Sequence, residues 1–171
     1  AYLRMRRINQ AFSQIQHKSS VTDAAFQSGY ESLSGFGEGF KKTMGTAPAK
    51  SNGQQVIVVN RILTPLGPML AGATKQGICL LEFTDRRMLE TQINRLQKLL
   101  NAKALPGDSR FFPLLEGQLE SYFAGKRTTF DLPLITPGTE FQQKVWAALQ
   151  TIACGQTRSY SEQAEIIGQP T

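Results

Sequence analysis

The chain has 171 residues, of which 40% are hydrophobic and 19% charged, a composition that supports a folded core and excludes an intrinsically disordered chain. The formal net charge is +6, and residues 1–50 hold seven Lys or Arg against three Asp or Glu, so the amino-terminal part is the more basic. No apolar run has the length of a membrane span and the first residues lack a signal-peptide layout, so we expect a cytoplasmic protein with no membrane partner.

Cysteine and histidine are scarce, which limits the kinds of site that the chain can build. Cys79 and Cys154 are too few for a disulfide framework, and this fits a reducing compartment. His17 is the one histidine, so a zinc cluster of Cys and His ligands cannot be assembled. We expect no metal and no other cofactor.

Residues 1–50 carry only helical patterns. YLRMRRINQAF is a helix with a mixed basic face, and Ser19-Ser20 interrupts it. VTDAAFQSG is a short helix that Gly29 ends, and ESLSGFGEGFKKTMG is a second one with Phe36 and Phe40 one turn apart. Two short helices joined by Gly29-Tyr30-Glu31 have the dimensions of a helix-turn-helix.

The residue pattern changes from helical to β-branched at SNGQQ, which marks a boundary at residues 51–55. VIVVNRILTPLGPMLAGATKQGICLLEF predicts three strands joined by turns at TPLGP and KQG. RRMLETQINRLQKLLNA is an amphipathic helix, FFPLLEGQLESYFAGK is another that Gly125 ends, and TFDLPL predicts a further short strand. A few strands with helices on one side indicate a small α/β layer domain.

The last 34 residues predict two more helices, each opened by a capping box. Thr139 with Gln142 begins the first, which we expect to extend towards Gly155 and to bury Phe141, Val145, Trp146 and Leu149. Ser159 with Glu162 begins the second, and Gly168 ends it before Gln-Pro-Thr. This is the pattern of the first helix of a helix-turn-helix, so a recognition helix is expected beyond Thr171.

The stretch GTEFQQKVWAALQTIACGQTRSYSEQAEIIGQPT closely resembles the methylated-DNA–protein-cysteine methyltransferase family, which repairs O6-alkylguanine in DNA. The family frame is G-T-x-F-Q-x-x-V-W-x-x-L-x-x-I-P-x-G-x-T-x-S-Y-x-x-x-A-x-x-I-G, and this chain departs from it at Ala153, where proline is usual. Upstream, TPLGPMLAGATKQGICLLEF and QLESYFAGKRTTFDLPL are similar to the amino-terminal α/β domain of the same family. The resemblance covers about residues 56–171.

Residues 1–50 resemble a second family, the AraC-type DNA-binding domains. Its carboxy-terminal half, a linker helix followed by the second helix-turn-helix, has a frame that this chain meets at Gly29, Tyr30, Ser32, Phe36, Phe40, Lys41, Gly45 and Pro48. An AraC-type module in front of an alkyltransferase is the arrangement of the Ada family of adaptive-response regulators. The chain is therefore expected to be an internal piece of an Ada-like protein.

The two resemblances imply an α+β protein of two modules. An all-α helix-turn-helix module at residues 1–50 and a linker at 51–55 come first. A small α/β, ribonuclease-H-like alkyltransferase domain at 56–136 follows, and residues 137–171 begin a helical DNA-binding and catalytic domain.

The family reaction turns the alkylated guanine out of the duplex and transfers the alkyl group to a cysteine thiolate, which a histidine activates. Those groups lie in a Pro-Cys-His-Arg motif, which the 171 residues do not contain, so we expect no methyl transfer from this chain. Cys154 matches a family position other than the acceptor and is expected to be a packed thiol at a helix end. Cys79 is expected to be a small apolar residue of a core strand.

The implied partner is double-stranded DNA, either alkylated or promoter DNA, bound by a monomer. Tyr160 matches a family tyrosine that crowds the phosphate beside the target nucleotide, although an ordinary tyrosine at a helix start is the alternative. Arg158 either contacts a phosphate or is solvated. The second short helix would enter the major groove with Leu33, Ser34, Gly35, Gly37 and Glu38 outward, and with Lys41 and Lys42 available to phosphates.

Two features of that helix weaken the prediction that it reads a specific DNA sequence, and the alternative is a helical hairpin that packs without reading DNA. Gly35, Gly37 and Gly39 each cost the helix up to about 1 kcal/mol relative to alanine, and Glu38 suits cytosine but not guanine. The arginines of the first helix are either backbone contacts or a solvated face; they are Arg4, Arg6 and Arg7.

Three functions fit the sequence. The first is a part of a bifunctional DNA repair methyltransferase and transcriptional regulator. The second is a binding protein, either an AraC-type regulator or an alkyltransferase-like lesion sensor without enzymatic activity. The third is a gene product without activity.

Overall fold

Three helices form the amino-terminal part of the chain, in a computed structural model that describes residues 2–51 and 53–169. Helix α1 spans Tyr2–Gln16, α2 spans Val21–Gln27 and α3 spans Leu33–Met44, and a short 3-10 helix follows at Pro48–Lys50. The predicted linker and the final Gln-Pro-Thr each lie partly outside the described residues. The three helices enclose a core made of Ile8, Ala11, Phe12, Ala24, Ala25, Phe36, Phe40 and Met44. The predicted helix-turn-helix is therefore confirmed.

The boundaries of α2 and α3 follow from local hydrogen bonds. The hydroxyl of Ser20 accepts from the Asp23 backbone N–H at 3.0 Å, and that of Ser32 accepts from the Gly35 N–H at 3.2 Å. Each hydroxyl thereby satisfies a backbone donor that the first turn of a helix leaves unpaired. Gly29 and Gly45 lie in the left-handed region, with φ of 81° and 78°, so the chain can turn sharply after each helix.

A four-stranded sheet follows, with the strand order β3-β2-β1-β4. β1 (Gln55–Thr64), β2 (Gly67–Ala73) and β3 (Ile78–Phe83) are antiparallel neighbours, which confirms the three predicted strands and their turns. β4 (Ala102–Pro106) runs parallel to β1 and was not predicted. Its sequence AKALP has little intrinsic strand preference, so its pairing with β1 must fix its conformation.

The helices of the sheet domain lie on both faces, so the expectation of helices on one side is wrong. α5 (Phe111–Phe123) packs its apolar side on the face that carries Ile62, Ala71, Ala73 and Ile78. Side chains alternate along a strand, so Ile57 and Leu80 belong to the other face, where both approach Gly72. α4 (Leu89–Leu99) lies on that second face, since its Gln92 donates to Glu82, two residues from Leu80.

The segment TFDLPL does not form the predicted strand. It contributes one isolated bridge, between Leu134 and Ile78 at the edge of β3. The side-chain amide of Gln118 bonds both the N–H and the C=O of Asp131, at 2.8 and 2.9 Å, and so takes the groups that a strand ladder would use. Pro133 has no N–H to donate.

Helix α1 lies against β4 and joins the two parts of the molecule. Leu105 of β4 is 1% exposed and belongs to the core of the three helices, and Val56 of β1 packs against the same core. At the rim, Asn9 donates to the Pro106 carbonyl at 3.2 Å and Arg6 pairs with Asp108 at 2.6 Å. The helical part and the sheet therefore share apolar side chains across their junction.

The chain ends in two short helices, α6 (Glu140–Leu149) and α7 (Tyr160–Ile166). α6 stops well before Gly155, contrary to expectation. The predicted burial of its apolar face is also wrong, because Phe141 and Leu149 are 52% and 47% exposed while Val145 and Trp146 are only half-buried. Among the described residues of α6, Ala148 is the buried one.

Candidate nucleic-acid interface

Helix α3 presents one apolar side to the core and one polar side to solvent. Phe36, Phe40 and Met44 recur every four residues and are at most 1% exposed. Phe36 packs against Phe40 with ring centroids 5.4 Å apart and against Tyr30 at 5.2 Å. Because these contacts fix the rotation of α3 about its axis, they also decide which side chains face outward.

The exposed side of α3 contains the residues that the sequence predicts for DNA contact. Gly37 is half-buried, and the other predicted positions are exposed: Leu33, Ser34, Gly35, Glu38, Lys41 and Lys42. We call the six exposed residues the α3 surface. Lys41 and Lys42 fall in the last turn, where their charges also complement the negative end of the helix dipole.

The glycines of α3 have different surroundings, which the sequence does not reveal. An added Cβ at Gly39 would lie 3.3 Å from the hydroxyl oxygen of Tyr30, whereas at Gly37 it would meet nothing within 4 Å. The Tyr30 hydroxyl is buried without a hydrogen-bond partner among the described residues. Burial raises the pKa of Tyr30, while the charges of Arg4 and Arg7 lower it. Gly39 therefore makes room for Tyr30, and Gly37 has no such role.

Replacing Gly37 with alanine is expected to raise the free energy of unfolding by up to about 1 kcal/mol, because alanine restricts the unfolded chain and favours the helix. Gly39→Ala is the matched comparison, and its gain is expected to be smaller or reversed because Tyr30 must move. Urea denaturation of the two variants and the parent chain measures both effects. Equal stabilisation by the two substitutions would contradict this account of Gly39.

Two of the three α1 arginines contact other parts of the protein. Arg6 pairs with Asp108 through Nη2 and Oδ2, and Nη1 of Arg7 donates to the Gly29 carbonyl at 3.2 Å. Arg4 is exposed. The sequence offered a choice between backbone contacts and a solvated face, and for Arg6 and Arg7 the structure adds a third role, which is to hold α1 against its neighbours.

Both predicted capping boxes at the start of α6 and α7 are confirmed. At α6, Thr139 and Gln142 exchange hydrogen bonds of 3.1 and 3.3 Å. At α7, the Glu162 carboxylate accepts from the Ser159 N–H at 2.7 Å, and the Ser159 hydroxyl accepts from the Glu162 N–H at 3.2 Å. The bonds that Ser159 donates through its backbone and its hydroxyl lower the pKa of Glu162.

Tyr160 is the first residue of α7 and is 97% exposed. Arg158, two residues earlier, is half-buried and points back into the corner between α6 and α7. Its Nη1 donates to the Ala148 carbonyl at 2.7 Å and to Oε1 of Gln163 at 3.1 Å, and its Nη2 donates to the Thr151 hydroxyl at 2.9 Å. Arg158 and Tyr160 thus both lie near the start of α7. Arg158 is hydrogen-bonded within the corner between α6 and α7, whereas Tyr160 is exposed to solvent.

Three family models match the chain, one after another. Residues 1–52 match a helix-turn-helix domain, residues 57–136 match the ribonuclease-like domain of 6-O-methylguanine DNA methyltransferase, and residues 140–171 match the DNA binding domain of the same enzyme. The chain carries a helix-turn-helix domain followed by methylated-DNA–protein-cysteine methyltransferase domains.

Relatives named methylated-DNA–protein-cysteine methyltransferase support the assignment of these methyltransferase domains. The protein from Methanosarcina barkeri is 36% identical over 110 residues, which are 64% of this chain and 63% of the relative. The protein from Mycobacterium bovis is 58% identical over 108 residues, which are 63% of this chain and 59% of the relative. The chain thus spans about three fifths of the length of these curated relatives.

Solved structures lead to the same methyltransferase fold. The O6-methylguanine methyltransferase of Mycobacterium tuberculosis is similar with a TM-score of 0.54 and 34% identity, over 67% of this chain and 63% of that one. A structure of the same organism's protein described as a complex with DNA gives a TM-score of 0.50 and 33% identity, over 68% and 62% of the two chains.

The two thiols of the methyltransferase domains differ in their surroundings. Cys79 is the extra residue where β3 shifts register against Gly72, and its Sγ lies 3.5 Å from the Gly72 carbonyl oxygen. Burial raises the pKa of the Cys79 thiol to about 11, so it is uncharged at neutral pH and behaves as the predicted small apolar residue. Cys154 is exposed, so the expectation of a packed thiol is wrong. His17 lies at the end of α1, in the helix-turn-helix domain, where Nδ1 is 2.7 Å from the Ser13 carbonyl oxygen.

A shallow cavity of about 370 Å³ separates the ribonuclease-like domain from α6. Cys79 and Leu96 line its sheet side, and Trp146 and Leu149 line its α6 side.

Within residues 2–51 and 53–169, no helix combines the length and the apolar character that a membrane span needs. The same described residues hold no group of three or more His, Cys, Asp or Glu side chains placed for a metal ion.

Proposed function

We propose that this chain is part of an Ada-like bifunctional protein. Such a protein regulates transcription through its helix-turn-helix domain and transfers alkyl groups from O6-alkylguanine in DNA to one of its own cysteines. The observation that carries the proposal is the order of the domains, since a helix-turn-helix with a formed core precedes methyltransferase domains in one chain. We propose domain limits of 1–50, 51–55, 56–136 and 137–171.

The proposed partner is double-stranded DNA. The α3 surface would enter the major groove, with Lys41 and Lys42 next to phosphates, and Tyr160 would stand beside the nucleotide that is turned out. The excess of basic residues in the first domain supports this partner, and so does the relative whose structure is described in complex with DNA. We propose that the protein acts as a monomer in the cytoplasm, where two free thiols are compatible with the reducing conditions.

We further propose that neither thiol in this chain is the alkyl acceptor. A thiolate is the reactive form of cysteine, and the half-buried Cys79 is held as the neutral thiol. Cys154 is exposed between α6 and α7, and the one histidine of the chain belongs to the helix-turn-helix domain. The described residues thus place no histidine beside either sulfur.

The alternative is a DNA-binding protein without transfer chemistry, either an AraC-type regulator or an alkyltransferase-like sensor of lesions. The neutral thiol of Cys79 favours it, whereas the well-formed core beneath α3 supports both proposals equally. Both proposals require the α3 surface to bind DNA, and only the first requires methyl transfer by the complete protein.

Binding of the 171-residue chain to a duplex that contains O6-methylguanine tests the DNA partner that both proposals require, and methyl transfer by the complete protein decides between them. We expect binding that weakens as salt rises, because phosphate contacts release counterions. Replacing Lys41 and Lys42 by glutamine should reduce the slope of log K against log salt by about 0.9 for each lysine that contacts a phosphate. Lys98→Gln, the control for each single replacement, removes one positive charge from the exposed side of α4 and should leave the slope unchanged.

The intact mass of the same samples reports on the thiols. We expect no gain of a methyl group after incubation with the methylated duplex. A methyl group on Cys154 or Cys79 would contradict the assignment of the thiols. An unchanged salt slope in the Lys41→Gln, Lys42→Gln variant would remove the α3 surface from the proposed interface.

A further inference from the structure

The corner between α6 and α7 is built from polar contacts and has little apolar packing. Phe141, Leu149 and Ile166 are 47–56% exposed, so these three large apolar side chains are not buried between the two helices. The buried residue of α7 is a polar one, Gln163, which is 8% exposed. Hydrogen bonds must therefore set the angle between the helices.

Arg158 lies at the centre of these hydrogen bonds. Both N–H groups of its Nη1 are used, one for the Ala148 carbonyl and one for the side chain of Gln163, and Nη2 reaches the hydroxyl of Thr151. Gln163 in turn donates through Nε2 to the Val145 carbonyl at 3.0 Å. The carbonyls of Val145 and Ala148 near the end of α6 are thus linked through Gln163 and Arg158 to the first turns of α7.

A guanidinium is suited to this position in a way that an ammonium is not. Its planar fork reaches several acceptors in fixed directions, and a charged donor makes stronger hydrogen bonds than a neutral one. Its charge also lies at the carboxyl end of α6, where a cation complements the helix dipole. Lysine would keep the charge but could not reproduce the fork.

We propose that Arg158 is a positioning residue, which holds α7 against α6 and so fixes Tyr160 at the protein surface. Tyr160 begins α7 directly after Ser159, whose capping box rigidifies the first turn. Its side chain is 97% exposed, so its placement depends on the helix that carries it. This inference rests on the proposed function, in which Tyr160 acts on DNA, and it replaces the sequence-based expectation that Arg158 contacts a phosphate.

Amide hydrogen exchange in the 171-residue chain tests the contact network without DNA. In both Arg158→Lys and Arg158→Gln, the amides of α7 should exchange faster by about tenfold or more, because charge-assisted hydrogen bonds are lost and the Oε1 atom of Gln163 loses its donor. Arg87→Gln serves as the matched control, since Arg87 is exposed in the sheet domain and carries the same charge. Unchanged exchange in α7 of the Arg158→Lys variant would overturn the proposal.

A double-mutant cycle on DNA binding separates positioning from phosphate contact. If Arg158 acts through Tyr160, Arg158→Lys should weaken binding in the parent chain and have no further effect in a Tyr160→Ala background. The salt slope should be the same for Arg158→Lys, Arg158→Gln and the parent. If Arg158 contacts a phosphate, Arg158→Lys should bind normally while Arg158→Gln lowers the slope by about 0.9, and that result overturns the proposal.

The two measurements also distinguish failure of this inference from failure of the proposed function. Equal losses of binding in both backgrounds would mean that Arg158 stabilises the fold generally, and the positioning role would be excluded. If the parent chain binds no DNA, that result contradicts both the proposed function and the proposed role of Tyr160. The exchange experiment would still decide whether Arg158 holds α7.

Discussion

Leu105→Ala is expected to lower the free energy of unfolding by about 2–5 kcal/mol and to loosen the helix-turn-helix as well as the sheet. Leu105 belongs to β4, but its side chain is 1% exposed within the core of the three amino-terminal helices. Truncation leaves a cavity in this core, and packed surroundings relax only partly to fill it. One substitution in the sheet should therefore reduce protection in α1–α3.

Urea denaturation measures the decrease in the free energy of unfolding for Leu105→Ala, and hydrogen exchange shows which elements lose protection. Leu63→Ala is the matched control, because Leu63 is a leucine of the same sheet that is 77% exposed. Its effect should stay within about 0.5 kcal/mol. If α1–α3 keep their protection while the sheet opens in the Leu105→Ala variant, the two domains do not share a core.

The apolar contacts, and not the ion pair, hold this junction together. Arg6 and Asp108 are 2.6 Å apart, but their side chains are 46% and 74% exposed, and exposed pairs contribute only about 0–1 kcal/mol. The connection between the domains is also short and tied down. Ser51 is fully buried, and Gln54 donates to the Met44 carbonyl at 2.9 Å. We therefore expect α3 to keep a fixed orientation relative to the sheet when it approaches DNA.

Local sequence signals predicted most of the elements of this fold. Serine caps and left-handed glycines set the limits of α2 and α3, and TPLGP and KQG set the turns between β1, β2 and β3. Those signals act over a few residues, so one sequence is enough to read them. β4 was missed because AKALP becomes a strand through its partner β1, whose paired residues lie 47 positions earlier in the chain.

How much of the candidate site could be predicted also depended on whether its contacts are local or distant in the sequence. Periodicity placed Phe36 and Phe40 inward, and the exposed side of α3 followed from it. An amphipathic pattern identifies the apolar side of a helix but not what lies against it, and the burial predicted for Phe141 and Leu149 was therefore wrong. The closeness of Gly39 to Tyr30 comes from the way α3 packs, which no local pattern encodes.

Gly77→Ala is the second substitution with a large expected effect, a loss of about 1–3 kcal/mol in the free energy of unfolding. An added Cβ would lie 2.3 Å from the carbonyl oxygen and 2.8 Å from the carbonyl carbon of Pro133. That oxygen accepts from the Ile78 N–H at 2.8 Å, and Ile78 in turn accepts from Ile135 at 2.8 Å. A backbone carbonyl cannot rotate away as a side chain does, so the strand edge and the segment must separate.

The separation would act on α6, because the residues after Pro133 lead directly into it. Ile135 and Pro137 line the cavity beside Trp146, so releasing the segment at Gly77 frees one side of the contact between the sheet and α6. Exchange of the Ile78 and Ile135 amides in Gly77→Ala should therefore rise together with that of α6. Gly117→Ala is the control, since a Cβ there meets nothing within 4 Å on α5 and should stabilise by up to about 1 kcal/mol. Unchanged protection of Ile78 and Ile135 in Gly77→Ala would show that the segment adjusts without leaving β3, and that the start of α6 is fixed by its own capping box.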